Sequence, residues 1–220
     1  MTYIEYALYD LDYTEEEIKS SIESAIALEV QCISVPYALT KFCRSLTKNT
    51  PVIVSNPIDY PMGLSDTKTR NAAISNAIDN GAEKIEIMIQ NNYLNYKKYD
   101  KIRADIASNY AICQGRNIPL YYFLEYRVFT HHSLIKACNL LIESAVTNVY
   151  PSSGYMLDSV EDNIIASVLL EEKTNIKSIC TANIWHKKQV ELLDKNKISF
   201  LRFSTINSIR TYKEFSQFNG

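Results

Sequence analysis

Apolar and polar positions along this chain alternate between two periods. Short, mostly continuous apolar runs recur, and between them apolar residues return every three or four positions. The runs at 3–8, 31–35, 51–55, 84–90, 119–125, 148–150, 176–180 and 198–203 predict strands. The stretches over 14–30, 38–46, 66–80, 94–114, 130–144, 158–172, 185–193 and 206–218 predict helices. Local signals agree with this division. Thr14 with Glu17 forms a capping-box pattern, and Ile18, Ile22, Ala25 and Ile26 then make one apolar stripe. Asp158-Ser159-Val160-Glu161 fits another helix start. Gly81 and Gly115 stand where helices stop, and Pro36 ends the second strand. The third strand is expected to leave into a loop from Asn56 to Ser65.

Eight strands alternating with eight helices predict a parallel α/β fold. Strands that are mostly continuous apolar runs, rather than apolar at every second position, are those covered on both faces. Eight such units predict a single (β/α)8 TIM barrel over residues 1–220, with no linker or low-complexity tract to divide it. An open doubly wound sheet is the alternative, but no G-x-G-x-x-G follows the first strand.

Composition narrows the function. The 220 residues carry a net charge of −2, so no strong field draws in nucleic acid or an anionic membrane. No apolar run reaches the roughly 18 residues that span a bilayer. Residues 1–10 hold acids and no basic, apolar leader, so a cytoplasmic setting is expected. The five cysteines (Cys32, Cys43, Cys113, Cys138 and Cys180) include no C-x-x-C and are expected to be reduced, buried thiols. Five glycines against sixteen tyrosines are few for an enzyme that cradles phosphate in Gly-rich loops.

Barrel chemistry sits at the C-terminal ends of the strands. Those ends supply Glu86, Glu125, Arg127, Tyr150, Ser152, Ser153, Gly154, Cys180, Thr181, Asn183, Ser204 and Thr205. The set offers carboxylates, a guanidinium and hydroxyls. It offers no histidine, because His131, His132 and His186 fall near helix starts, so no metal or cofactor is expected. Glu86 is the candidate acid/base, Tyr150 a proton donor, Cys180 a nucleophile or polar group, and Arg127 an anion clamp. Against each stands a structural alternative. Glu86 and Arg127 pair with one another or with Glu125, Cys180 is inert, and Tyr150 fills space.

At this point the chain resembles a family. Ile58-Asp59-Tyr60-Pro61-Met62-Gly63 through Arg70, followed by Gly81-Ala82-Glu83-Lys84-Ile85-Glu86, is similar to the "FP-G" loop and "GA-DEID" strand of the class I deoxyribose-phosphate aldolases. Cys32 to Pro36 resembles their "VCV-P", Leu124-Glu125 their "ILET", and Val149 to Tyr155 their "VKTSTGF". The pieces run in family order through nearly the whole chain, and the resemblance implies the same barrel.

It also implies departures at the chemistry. The family's Schiff-base lysine matches Tyr150, and a phenol cannot form the imine. The second, tuning lysine matches Ile179. The acid/base aspartate matches Glu86. The strand-one "DHT" matches Glu5-Tyr6-Ala7. The phosphate-binding glycines match Ala182-Asn183, and the "GTSS" after strand eight matches Ser204 to Asn207. Of the remaining lysines, Lys177 shares the face of Ile179 but lies deeper, and Lys84 is expected at the N-terminal face.

Three readings follow. The first is a barrel related to these aldolases that has lost both lysines, the strand-one acid and the phosphate glycines. It would serve as a binding or assembly protein. Its Ile, Asn, Lys and Tyr-rich composition fits an AT-rich genome, a phage included, with a particle component as one form of that role. The second is an enzyme on a sugar phosphate that uses non-lysine catalysts. The third, an active deoxyribose-phosphate aldolase, is disfavoured by Tyr150. A small phosphorylated ligand, a protein partner and a homodimer are the partners these readings bring. A filled, dry barrel mouth favours the first reading, and an open pocket with convergent polar groups favours the second.

Overall fold

Each apolar run pairs with its successor. The computed structural model describes residues 2–9, 12–156 and 159–216. Among these, the strands are β1 (Tyr3–Ala7), β2 (Cys32–Ser34), β3 (Ile53–Ile58), β4 (Lys84–Met88), β5 (Leu120–Phe123), β6 (Asn148–Tyr150), β7 (Lys177–Ser178), β8 (Cys180–Thr181) and β9 (Phe200–Phe203). All pairings are parallel, in the order β7-β6-β5-β4-β3-β2-β1-β9-β8. β7 and β8 are two pieces of one strand. β7 pairs with β6 and β8 pairs with β9. Between the pieces, the Ile179 N–H donates to the Val149 carbonyl at 2.8 Å. The ring therefore closes, as a (β/α)8 barrel requires.

The helices outside it are α1 (Glu15–Ala27), α2 (Thr40–Thr47), α3 (Thr67–Asp79), α4 (Asn91–Asn95), α5 (Tyr99–Gly115), α6 (His131–Glu143), α7 (Val160–Thr174), α8 (Lys187–Lys195) and α9 (Ile206–Ser216). Their starts have side-chain causes. Thr14 and Glu17 complete the capping box of α1, and Asp66 and Thr130 cap α3 and α6.

Three expectations shift. The cap of α7 is Ser159, whose Oγ accepts from the Asp162 N–H at 3.0 Å, and Asp158 lies outside the described residues. The stretch 94–114 is two helices, α4 and α5, because Lys97 between them takes a left-handed backbone (φ 54°). β3 runs on past Ser55, because Ile58 is buried and Pro57 and Ile58 stay in register with Glu86 and Ile87.

Strand and helix residues share two apolar shells. Ile22, Ile33, Val54 and Leu201 belong to one, and Ile74, Ile87, Ile106 and Leu141 to the other. Each buried Ile or Leu contributes about 1.5–3 kcal/mol, so these shells carry most of the fold. A third, small cluster (Met88, Phe123, Tyr150 and Ile179) comes from strand positions alone and fills the barrel. It leaves the rest of the interior to charge.

Candidate functional site

Alternation along a strand puts residues two apart on one face. In β4 this turns both Lys84 and Glu86 into the barrel, and both are essentially unexposed. β1 adds Glu5, β6 adds Tyr150 and β9 adds Arg202, all 0–1% exposed. Two carboxylates thus meet two cations. Lys84 Nζ pairs closely with Glu5 Oε1 and lies 3.1 Å from Glu86 Oε1. Arg202 Nη1 lies 2.8 Å from Glu86 Oε2 and 3.3 Å from Glu5 Oε2. The Tyr150 hydroxyl accepts from Lys84 at 2.9 Å and faces Glu5 Oε2 at 2.7 Å and Glu86 Oε1 at 3.1 Å. Ser34 and Ser55 donate to the two oxygens of Glu86 at 2.9 and 2.6 Å.

A lone buried ion costs several kcal/mol, and this arrangement leaves none alone. Its electrostatics follow from the pairing. Burial by itself would raise the Glu86 carboxyl, but Arg202 and Lys84, helped by both serines, hold it well below the usual carboxylate range. Burial likewise opposes the charge on Lys84. The Cys32, Glu5, Tyr150 and Glu86 groups around it more than reverse that and push it well above its ordinary value. Burial, reinforced by Glu5 and Glu86, drives the Tyr150 phenol well above its ordinary value. Burial drives the Cys32 thiol up to about 12. Glu5, Cys32 and Glu86 bring three ligand atoms within 4.8 Å of one another. The Lys84 ammonium already supplies a cation there.

Above this interior, at the C-terminal ends of the strands, lies an open cleft of about 580 Å³. A second hollow of about 600 Å³ lies at the opposite end, lined by Ile4, Val52 and Tyr212 among others. The first is at the end where barrels place their chemistry. Arg202 and Tyr9 line it, and Arg202 Nη2 donates closely to Tyr9 Oη. Tyr9 Oη lies 2.5 Å from Ser34 Oγ and 3.4 Å from Glu86 Oε2. Tyr60, Tyr155 and Trp185 give the cleft an aromatic wall. Tyr60 holds it together, 5.0 Å from Tyr9 and 6.4 Å from Tyr155 between ring centres. Burial is the main cause that lifts both Tyr9 and Tyr60, Tyr60 to about 12, so both phenols are neutral at pH 7. Among the described residues, no lysine lines the cleft.

The residues singled out from sequence divide four ways. Ser153, Gly154, Thr181, Asn183 and Ser204 line the cleft. Asn183 and Ser204 are joined, Nδ2 donating to Oγ at 2.8 Å. Gly154 has φ +78° and a Cβ there would lie 3.3 Å from Thr181 Cγ2. Ser152 and Glu125 stand behind them. Ser152 Oγ accepts from the Gly154 N–H at 3.0 Å, and Glu125 accepts from the Ser153 hydroxyl and, at 3.3 Å, from its N–H. Glu86 and Tyr150 belong to the interior beneath.

Three residues lie elsewhere. Arg127 pairs with Asp162 at 3.4 Å and does not line the cleft. Cys180 is buried in the shell with Val160, Ile164 and Val190. Thr205 Oγ1 accepts from the Ser208 N–H at 3.1 Å at the start of α9. Two further expectations are corrected. Lys84 belongs to the barrel interior, because it shares the inward face with Glu86. Strand one keeps an acid, Glu5, within the charged cluster. Lys177 is exposed and over the Phe200 ring. Arg202, Tyr9, Tyr60 and Asn163 were not singled out for roles by sequence. An arginine inside the apolar run Phe200-Leu201-Arg202-Phe203 was the available signal.

A scan against models of protein families finds no match. Over 178 residues the chain is 26% identical to a deoxyribose-phosphate aldolase of Mycoplasma capricolum, covering 80% of this chain and 79% of that protein. The solved structure described as QR15, an aldolase, superposes with a TM-score of 0.86 at 18% identity, over 99% of this chain and 96% of that one. A deoxyribose phosphate aldolase from Aeropyrum pernix, described as a unique tetramer, superposes at 0.83 and 12% identity, over 98% and 90%.

Proposed function

We propose that this chain, an aldolase-like barrel similar to deoxyribose-phosphate aldolases, binds a small sugar-like ligand in the cleft and forms no imine with it. One observation carries the reading. The lysine on the barrel axis, Lys84, is held as an ammonium ion beneath Tyr150 by two carboxylates, and no lysine among the described residues lines the cleft. Imine formation needs a neutral amine that can reach a carbonyl carbon. Tyr150, at the position matched to the family's Schiff-base lysine, offers a neutral phenol.

The open cleft, with its amides and hydroxyls, favours a ligand over a pure assembly role. The particle role inferred from composition finds no support in the comparisons. The test is cleavage of 2-deoxyribose 5-phosphate, followed as release of its carbonyl fragments. The expected result is no turnover above the protein-free blank. Turnover abolished by a single lysine substitution would refute the reading.

A second reading, non-imine proton-transfer chemistry, is favoured by the path from Tyr9 Oη to Ser34 Oγ to Glu86 Oε2. It connects the cleft to a buried carboxylate. Tyr9→Phe would break that path while keeping the ring. Under this reading Tyr9→Phe lowers kcat on the true substrate with little change in KM.

A further inference from the structure

From the same cleft, and resting on the reading of it as a sugar site, we infer that its ligand is an uncharged, hydroxyl-bearing sugar rather than a phosphate ester. Asn163 carries this. It lines the cleft and is 1% exposed, and its Oδ1 accepts no hydrogen bond from the described residues. The orientation of its amide is fixed by chemistry. Its Nδ2 donates at 3.0 Å to the Ser159 carbonyl, which can only accept, so the oxygen end is the one left over. A buried acceptor without a partner is costly, and a ligand O–H would satisfy it.

The aromatic wall supplies a second contact. Trp185 and Tyr155 line the cleft and are 67% and 63% exposed, which leaves their rings open to the C–H face of a sugar. Gln189 holds the main chain there, its Oε1 accepting from the Trp185 backbone N–H at 2.8 Å.

Charge argues against a phosphate. Among the described residues that line the cleft, Arg202 is the only cation, and its guanidinium is already directed to Glu5, Glu86 and Tyr9. The other charged lining residue among those described is Glu161, which is exposed in the first turn of α7. A phosphate dianion entering here would meet a carboxylate and no uncommitted cation. Asp162 beside it adds a second acid to that turn, itself paired with Arg127.

Trp185 is the single tryptophan of the chain, so its emission reports on the cleft directly. The experiment titrates the full chain with 2-deoxyribose and, separately, with 2-deoxyribose 5-phosphate. The free sugar is expected to bind more tightly than its phosphate ester. Asn163→Ala should weaken the free sugar about tenfold, the loss of one buried hydrogen bond. Glu161→Gln, which removes the cleft's exposed carboxylate, should strengthen the ester about two- to fivefold relative to the free sugar.

Tighter binding of the ester overturns the inference. So does a folded Asn163→Ala protein with unchanged sugar affinity, or a Glu161→Gln protein with unchanged ester affinity. If neither sugar alters the emission, the sugar-site reading itself fails. Ester binding that is tight but imine-free would leave that reading standing and sink only this inference.

Discussion

Replacing Lys84 by methionine tests the charged interior. The lysine ammonium touches Glu5 and Glu86 and donates to Tyr150, all of them buried. Without it, two carboxylates share the single cation Arg202. Removing one partner of a buried ion pair costs about 3–5 kcal/mol. A domain of this size is stable by about 5–15 kcal/mol in all. At about 2–4 °C per kcal/mol, the midpoint should fall by roughly 6 to 20 °C.

Coupling provides the control. Lys84→Met with Glu5→Gln removes one charge of each sign and leaves Glu86 with Arg202. The double variant should be about 1–3 kcal/mol more stable than Lys84→Met alone. Urea denaturation at constant m-value, with calorimetric melting, reads both quantities. A loss under about 1 kcal/mol for Lys84→Met would refute the reasoning. A double variant less stable than either single variant would also refute it.

Other outcomes follow from the same geometry. Tyr150→Phe deletes the hydroxyl between Lys84 and the carboxylates and should cost about 1–3 kcal/mol in urea denaturation. Glu86 has a folded-state pKa below its ordinary 4.5. Its stabilisation is therefore complete above that value and is lost as pH falls through the depressed value. Stability against pH should stay level in this term from neutral down to about pH 5 and fall below it. In Lys84→Met that acid slope should be shallower. Gly63→Ala should cost about 2 kcal/mol or more, because φ is +65° and the new Cβ would lie 2.3 Å from the Ile89 carbonyl oxygen. Ser159→Ala removes the cap of α7 and should cost about 1 kcal/mol, read as a drop of about 2–4 °C in Tm.

The barrel was legible because most strand residues are buried on both faces, so the strands read as mostly continuous apolar runs. Order and number then followed from the alternation with helices. The interior was harder. Lys84 opens its strand and so looks like an end residue, yet its spacing of two from Glu86 already put both on one face. For Arg202 the signal was a charged residue set inside the apolar run Phe200-Leu201-Arg202-Phe203. The Arg127–Asp162 pair joins residues 35 apart in sequence, and the Asn163–Ser159 bond depends on where α7 begins. Neither loop geometry nor a cap's exact position follows from periodicity.

The central claim is that the cleft holds its ligand without a covalent imine. Borohydride reduction of the folded protein in the presence of 2-deoxyribose and, separately, of 2-deoxyribose 5-phosphate, read by intact mass, tests it most directly. The account predicts an unchanged mass, with circular dichroism showing the barrel intact. A mass increase that maps to any lysine, Lys84 above all, would contradict it.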